Sequence, residues 1–234
     1  SIGLTIGWGI WATLLLKKQE QTQERLTLQK ARAEALLKLP KLAEEFDDEV
    51  TFLQRGQEIA EDLTDSKIAF IHFVSHDEET IELVAWSRRT IKHYCSAVYD
   101  NHYPLKNAGI WAEAARKCHP VVFNDYPNYA HKHGLPEGHA HLERLISVPV
   151  IENDQVVMLT GVGNKETDYT DMDVETVQLL SNEIWHIVQN RRMVNKLKES
   201  EKNLNFAQNI AKIGSWKLNL KTRELICSDE VFSI

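Results

Sequence analysis

Cysteine is too scarce to build a framework. Cys95, Cys118 and Cys227 stand far apart and no two form a CxxC pair. That excludes a disulfide-stapled fold and a thiolate zinc knuckle, and suits a reducing compartment. A basic excess is also missing: 27 Lys and Arg face 34 Asp and Glu, for a formal net charge of −7. No global positive field therefore favours nucleic acid. A full-length apolar run is absent too. Ser1 to Leu16 carries no charge, but 16 residues fall short of the roughly 20 that cross a bilayer. What remains is ordinary for a folded chain: 234 residues, 43% hydrophobic and 26% charged, enough for one or two domains with a core.

The charge-free start is read as the cytoplasmic end of a transmembrane helix. Trp8 and Trp11 suit the interfacial belt, and Lys17, Lys18 and Arg25 suit the positive-inside rule. A signal peptide would carry its basic residues before the apolar run, whereas here they follow it. The stretch from Gln19 to Phe46 lacks glycine and is rich in helix formers. One helix is expected as far as Leu39, with Pro40 breaking or kinking it. Leu36, Leu37, Leu39 and Leu42 are expected to begin a buried face.

A mixed segment follows. Val50 to Leu63 reads as a helix with Val50, Leu53, Ile59, Ala60 and Leu63 on one side. Lys67 to Ser75 and Thr80 to Ser87 read as a hairpin about His76-Asp77-Glu78. Asn107 to Lys117 reads as a helix, and Pro120 to Phe123 as a short strand before a long loop reaching Ala140. Leu145 to Glu152 and Gln155 to Gly163 read as two strands joined by the turn pair Asn153-Asp154. Thr170 can cap a new helix, and Asp173 three residues on completes a capping-box-like pattern. That helix is expected to reach about Asn205. Val177, Leu180, Ile184, Ile187, Arg191 and Val194 recur at spacings of three and four, a seam for a second helix. Strands before and after intervening helices give an α+β fold.

The run HPVVFNDY, then GLPEGH, RLISVPV and GVGNKETDYTDMDVE, between about 119 and 190, resembles the GAF domains of membrane-anchored bacterial sensor kinases and diguanylate cyclases. The resemblance implies a GAF-like central antiparallel sheet with helices on one face and a ligand pocket on the other. The tail IAKIGSWKLNLKTRELICSDEVFSI is similar to the start of a PAS domain. The expected organisation is the end of a transmembrane helix at 1–18 and a juxtamembrane linker at 19–40. A GAF domain at 41–190, a helical linker at 191–205 and a PAS fragment at 206–234 complete it. This order implies a sensory input region at a bacterial inner membrane, with its GAF and PAS parts cytoplasmic. A parallel homodimer would relay its state to an output domain, a histidine kinase or diguanylate cyclase, beyond the sequence in hand. No catalytic residue and no required cofactor are read from the chain.

Within that resemblance, Asp125, Tyr126, Glu137, His139, Arg144 and Trp111 are the candidates to line a small-molecule pocket. A guanidinium at Arg144 suits an anionic group held bidentately, or pairs with Asp125. His131, His133, His139 and His141 form two HxH pairs and are the candidate metal ligands. Cyclic-nucleotide GAF domains carry an Asn-Lys, Phe, Asp-Glu pattern. Here it reads Asn164-Lys165, Tyr169, Asp173 and Val174, and the resemblance supports a structural Lys165–Asp173 pair. Two other readings are kept. One is a ligand-free GAF spacer. The other is an enzyme like the GAF reductases of free methionine sulfoxide, with Cys95 and Cys118 as thiols.

Overall fold

The computed structural model describes residues 2–75, 80–93, 102–105, 108–129, 141–228 and 231, with side chains in 2–10, at 83 and in 102–104 left aside. The chain divides into two units, Ser1–Ile187 and Val188–Ile234.

The first unit opens with α1, Ile2–Glu45. Pro40 neither ends it nor breaks it, contrary to the sequence expectation. The proline removes one helical hydrogen bond, but packing continues on both sides of it. Ala35 and Leu39 are buried before it, and Leu42 and Ala43 are half-buried after it. Leu37, expected inside, is 71% exposed, and Ala35 takes its place in the core. Among the described residues no helix is long and apolar enough to cross a membrane. Asp48 caps α2 (Glu49–Thr64) by accepting from the Thr51 amide at 2.8 Å. The left-handed Asp65 closes it. Phe52, Leu53, Ile59 and Ala60 face inward, while Val50 points to solvent.

The described strands form a six-stranded sheet, β1 (Ile68–Val74), β2 (Thr80–Trp86), β3 (His102–Pro104), β4 (Val121–Phe123), β5 (Leu145–Glu152) and β6 (Gln155–Gly163), in the order β3-β2-β1-β6-β5-β4. Its pairs are antiparallel. The β5–β6 turn puts Asn153 at φ 50° and Asp154 at φ 63°, the left-handed pair that a tight hairpin turn requires. Short α3 (Arg88–His93) follows β2. The stretch expected as one helix over 107–117 is a 3₁₀ turn at Ile110–Ala112 leading into α4 (Glu113–Lys117).

Register sorts the side chains. Ile68, Phe70 and His72 stand opposite Gly163, Gly161 and Leu159, and Leu145 and Ser147 stand opposite Gly163 and Gly161. Opposed residues share a face, so these define one side of the sheet. Ile110, Trp111, Ala114 and Tyr126 join the core on that side. Ile71, Thr160, Val148 and their neighbours define the other side, where the helices pack. There α5 (Asp171–Ala211) contributes buried Val177, Leu180 and Ile184 from its portion in the first unit. Gly56 of α2 lets Ile184 and Leu39 close in. A Cβ there would stand 2.8 Å from Ile184 Cδ1 and 3.6 Å from Leu39 Cδ2.

Arg32 ties α1 to the first turns of α5. Its Nε donates to Thr176 Oγ1 at 2.8 Å, its Nη1 to Glu175 Oε2 at 3.3 Å and its Nη2 to the Met172 carbonyl. The guanidinium is mostly enclosed, at 13% side-chain exposure. Replacing Arg32 by Ala is expected to cost about 1–2 kcal/mol, because the partners left behind are partly screened from water. Urea unfolding of the whole chain checks this as a lowered midpoint at unchanged slope.

The second unit holds the remainder of α5 and a hairpin of β7 (Trp216–Leu218) and β8 (Leu225–Cys227). Lys212, at φ 54°, ends the helix, and the Ile213 amide donates back to the Gln208 carbonyl at 3.1 Å. Asn219 Oδ1 organises the hairpin turn by accepting from the Lys221 and Thr222 amides at 3.0 and 3.3 Å. Trp216, Leu220, Leu225 and Ile226 are all more than half exposed.

Candidate functional site

The sheet face away from α1, α2 and α5 is aromatic. The period-two pattern of β1 puts Phe70 and His72 on it, and the Phe70–Trp86 register adds Trp86. Trp111, buried on its 3₁₀ turn, stacks on His72 at 4.3 Å between centroids and 24° between planes. Phe70 stands edge-on to all three, at 5.3 Å from His72, 5.7 Å from Trp86 and 5.8 Å from Trp111. Such pairs stabilise beyond their buried area. Phe70 lies across the backbone of Gly161, where only glycine leaves room for the ring.

Two hydroxyls interrupt this apolar face. Tyr126 is 2% exposed; its amide donates to the Glu143 carbonyl at 2.9 Å, while its phenolic oxygen has no hydrogen-bond partner among the described residues. Burial pushes the phenol up to about 12, so it is a neutral O–H. Ser147, fully buried on β5, likewise leaves Oγ unpartnered among the described residues. Buried polar groups rarely stay unpaired, and an apolar face with a few polar atoms is the usual make-up of a small-molecule site.

The other sequence candidates divide. Trp111 and Tyr126 belong to the aromatic face. Asp125 and Arg144 are not brought together. Both Asp125 carboxylate oxygens accept from Asn128 Nδ2, at 3.0 and 3.1 Å. Arg144 turns to Asp168 Oδ1 at 3.0 Å and to the Lys165 carbonyl at 3.3 Å. Glu137, His139, His131 and His133 lie outside the described residues. His141 is exposed, with Nε2 2.9 Å from Glu143 Oε1. Among the described residues no three His, Cys, Asp or Glu side chains are grouped to hold a metal ion. Phe70, His72 and Ser147 were not named from sequence. Their signals were the alternation in KIAFIHF and a lone serine inside the apolar run LISVPV.

The segment from Asn164 to Asp173 is a structural knot beside this face. Asn164, left-handed at φ 62°, accepts from the Glu143 amide at 2.8 Å and donates to the His141 carbonyl at 2.7 Å, fixing the approach to β5. Asn124, just after β4, brackets Tyr169 by accepting from its amide at 2.7 Å and donating to its carbonyl at 3.1 Å. The Tyr169 hydroxyl meets Ser66 Oγ at 2.8 Å, beyond the end of α2. Lys165 Nζ lies 2.7 Å from Asp173 Oδ1, and Asp173 Oδ2 accepts from the Thr170 amide and hydroxyl at 2.8 and 2.9 Å. One turn thus joins β4, β5, β6, α2 and the start of α5.

A six-stranded antiparallel sheet with long helices on one face and short helical turns on the other defines the class: an α+β domain of the GAF type. The sequence profile of the GAF domain family matches residues 47–189, and the chain belongs to that family. A methyl sulfide methyltransferase-associated sensor of Methanosarcina acetivorans is 35% identical over 185 residues, covering 78% of this chain and 18% of that protein. The chain therefore spans under a fifth of the length of this curated relative. Among solved structures, the GAF domain of a Coxiella burnetii phosphoenolpyruvate-protein phosphotransferase superposes with a TM-score of 0.56 at 11% identity, over 71% of this chain and 98% of that one. The free methionine-R-sulfoxide reductase of Neisseria meningitidis, in complex with its substrate, gives 0.51 at 15% identity, over 72% and 93%. At such identities these structures speak for the fold alone.

Proposed function

We propose that this chain is the sensory input region of a larger signalling protein, and that its GAF domain takes a small ligand on the aromatic face of the sheet. The observation that carries the reading is the pair of buried hydroxyls, Tyr126 Oη and Ser147 Oγ, without hydrogen-bond partners among the described residues. A ligand presenting a polar atom to each would satisfy both, while its apolar body met Phe70 and Trp111. The relative from Methanosarcina acetivorans, named as a sensor, supports the sensory role.

The finer parts of the proposal concern relay. Ligand occupancy favours one conformation of the sheet face, and the knot at Asn164–Asp173 passes that preference to α5. A parallel homodimer through α5 is supported by exposed Met193, Val194, Leu197 and Leu204. Attachment to a membrane through the residues before Lys17, with the GAF domain on the cytoplasmic side, is supported by exposed Trp11, Leu14, Leu15 and Leu16. The reading of the hairpin Trp216–Cys227 as PAS-like is supported by its exposed Trp216, Leu225 and Ile226. A histidine kinase or diguanylate cyclase output completes the scheme. The competing reading is a ligand-free spacer, favoured by the stacking of Trp111 on His72, which fills part of the same face.

Native mass spectrometry of the purified chain, with and without Tyr126→Phe, separates the two. Sensing predicts a co-purified small molecule whose retention falls at least tenfold in Y126F. Stability should change by less than about 1 kcal/mol, because the hydroxyl removed has no protein partner among the described residues. A spacer predicts no adduct on either protein, each giving only the mass of its own bare chain.

A further inference from the structure

A second feature lies apart from the aromatic face, where α2 meets α3. Glu61 of α2 is fully buried. Its Oε1 accepts from Ser87 Oγ and, more distantly at 3.4 Å, from Thr90 Oγ1. Its Oε2 has no hydrogen-bond donor among the described residues. The one cation within ion-pair reach among them is Arg89, whose Nη1 stands 3.7 Å from Oε2 but only 2.7 Å from Asp62 Oδ1. Arg89 therefore spends its charge mainly on Asp62.

The charged groups on every side are otherwise engaged. Glu58, one turn earlier on α2, takes Arg88 of α3 through two bonds of 2.6 and 2.8 Å. Across a cleft of about 520 Å³ lined by Glu61, Asp62, Asp65, Lys67, Arg89, Lys165 and Glu166, Lys67 pairs with Glu166 at 3.1 Å and Lys165 with Asp173 at 2.7 Å. Asp65 caps α2 there and adds a further negative charge. Arg89 is thus the one cation of this set within reach of Glu61, and it is shared with Asp62.

The hydroxyls that hold Glu61 also hold the sheet. Ser87 and Thr90 stand 2.8 Å apart, the Thr90 amide donates to Ser87 Oγ at 3.0 Å, and the Ala69 amide of β1 donates to Thr90 Oγ1 at 3.1 Å. The Ser87 amide in turn donates to the Ala69 carbonyl at 3.0 Å. Ala69 is the residue next to Phe70. A change at Glu61 is thus two hydrogen bonds from the strand that carries the aromatic face.

We propose that Glu61 is a proton-operated latch: neutral, it seats α3 against α2 and β1, and ionised, it loosens that seat. Desolvation raises its pKa from 4.5 to about 7, against the opposing pull of Ser87 and Arg89. The sign follows. The folded carboxyl holds its proton more tightly than the unfolded one, so the stabilisation is complete below about pH 4.5 and is lost as pH rises through about 7. The latch loosens across the neutral range, where a cell's pH varies.

The test is amide hydrogen exchange of the whole chain between pH 5.5 and 8.5, corrected for intrinsic base catalysis. Protection in residues 88–93 and at Ala69 is expected to fall at least tenfold, with a midpoint near pH 7. Glu61→Gln, which keeps shape and acceptor but cannot ionise, is expected to flatten that step. Amides of Val177 to Ile184 should show no such midpoint in either protein. No step in the wild type, or a step that survives in E61Q, overturns the proposal. Should E61Q not fold, carbon-detected titration of the Glu61 carboxyl in the wild type decides: a midpoint below about pH 6 rejects the latch and one at or above it supports it.

Discussion

Gly161→Ala is expected to destabilise the domain by about 3 kcal/mol, at the upper end of what overpacking costs. The added Cβ would stand 2.1 Å from Phe70 Cζ, with Cε1 and Cε2 at 2.4 and 2.8 Å. No real contact is that short, so either the ring or the strand must move. The ring is hemmed in by His72, Trp86 and Trp111. The strand is central, paired to β1 on one side and β5 on the other. Relief is therefore poor in both directions. Urea or thermal unfolding checks the magnitude, and a second variant checks the cause. Phe70→Ala alone should be costly, since it opens a cavity. In the double variant the two losses should overlap by at least about 1 kcal/mol, because the methyl fills space the ring has left. Strict additivity would mean that the ring does not lie over Gly161.

The same residues mark how far the sequence could be read. The β5–β6 hairpin was legible because Asn153-Asp154 is local turn chemistry, and its two left-handed residues need nothing from the rest of the fold. The return bond from Asp173 to the Thr170 amide was legible for the same reason, although the Thr170 hydroxyl donates to Asp173 instead of capping an amide. The GAF-type fold followed from motifs clustered over a short stretch. What the sequence hid was long-range choice. Arg144 had two carboxylates to choose from, and the turn after β6 delivers Asp168 to it while Asn128 occupies Asp125. Pro40 is a strong local stop signal, overruled by packing from Ala35 to Ala43. The short α3 has too few apolar residues to show a period, and its docking rests on a buried carboxylate that composition cannot distinguish from a surface one. Ser147 and Tyr126 look like core and loop residues until the β5–β6 register puts one on the aromatic face and packing on Phe123 brings the other there.

Asp173→Ala is expected to cost about 3 kcal/mol and to free the start of α5 from the sheet. Two losses combine. Lys165, with 16% of its side chain exposed, would lose its ion-pair partner among the described residues; breaking a buried pair from one side costs about 3–5 kcal/mol, less where water reaches the charge. The amide and hydroxyl of Thr170 would also lose their acceptor, and a lost cap adds about 0.5–2 kcal/mol. Asp173→Asn keeps an acceptor for Thr170 and removes only the charge, so it should fall between the wild type and the alanine variant. Lys165→Met in the D173A background should recover at least about 1 kcal/mol, since the stranded ammonium is then gone. Unfolding midpoints give these values. Hydrogen exchange gives their location: in D173A the amides of residues 171–176 should lose protection before those of β1 and β6. If all of them weaken together, the knot is only one more part of the core. If the first turn of α5 lets go alone, the sheet and α5 are joined at a point that a change on the aromatic face can work, which is what a sensory domain of this design requires.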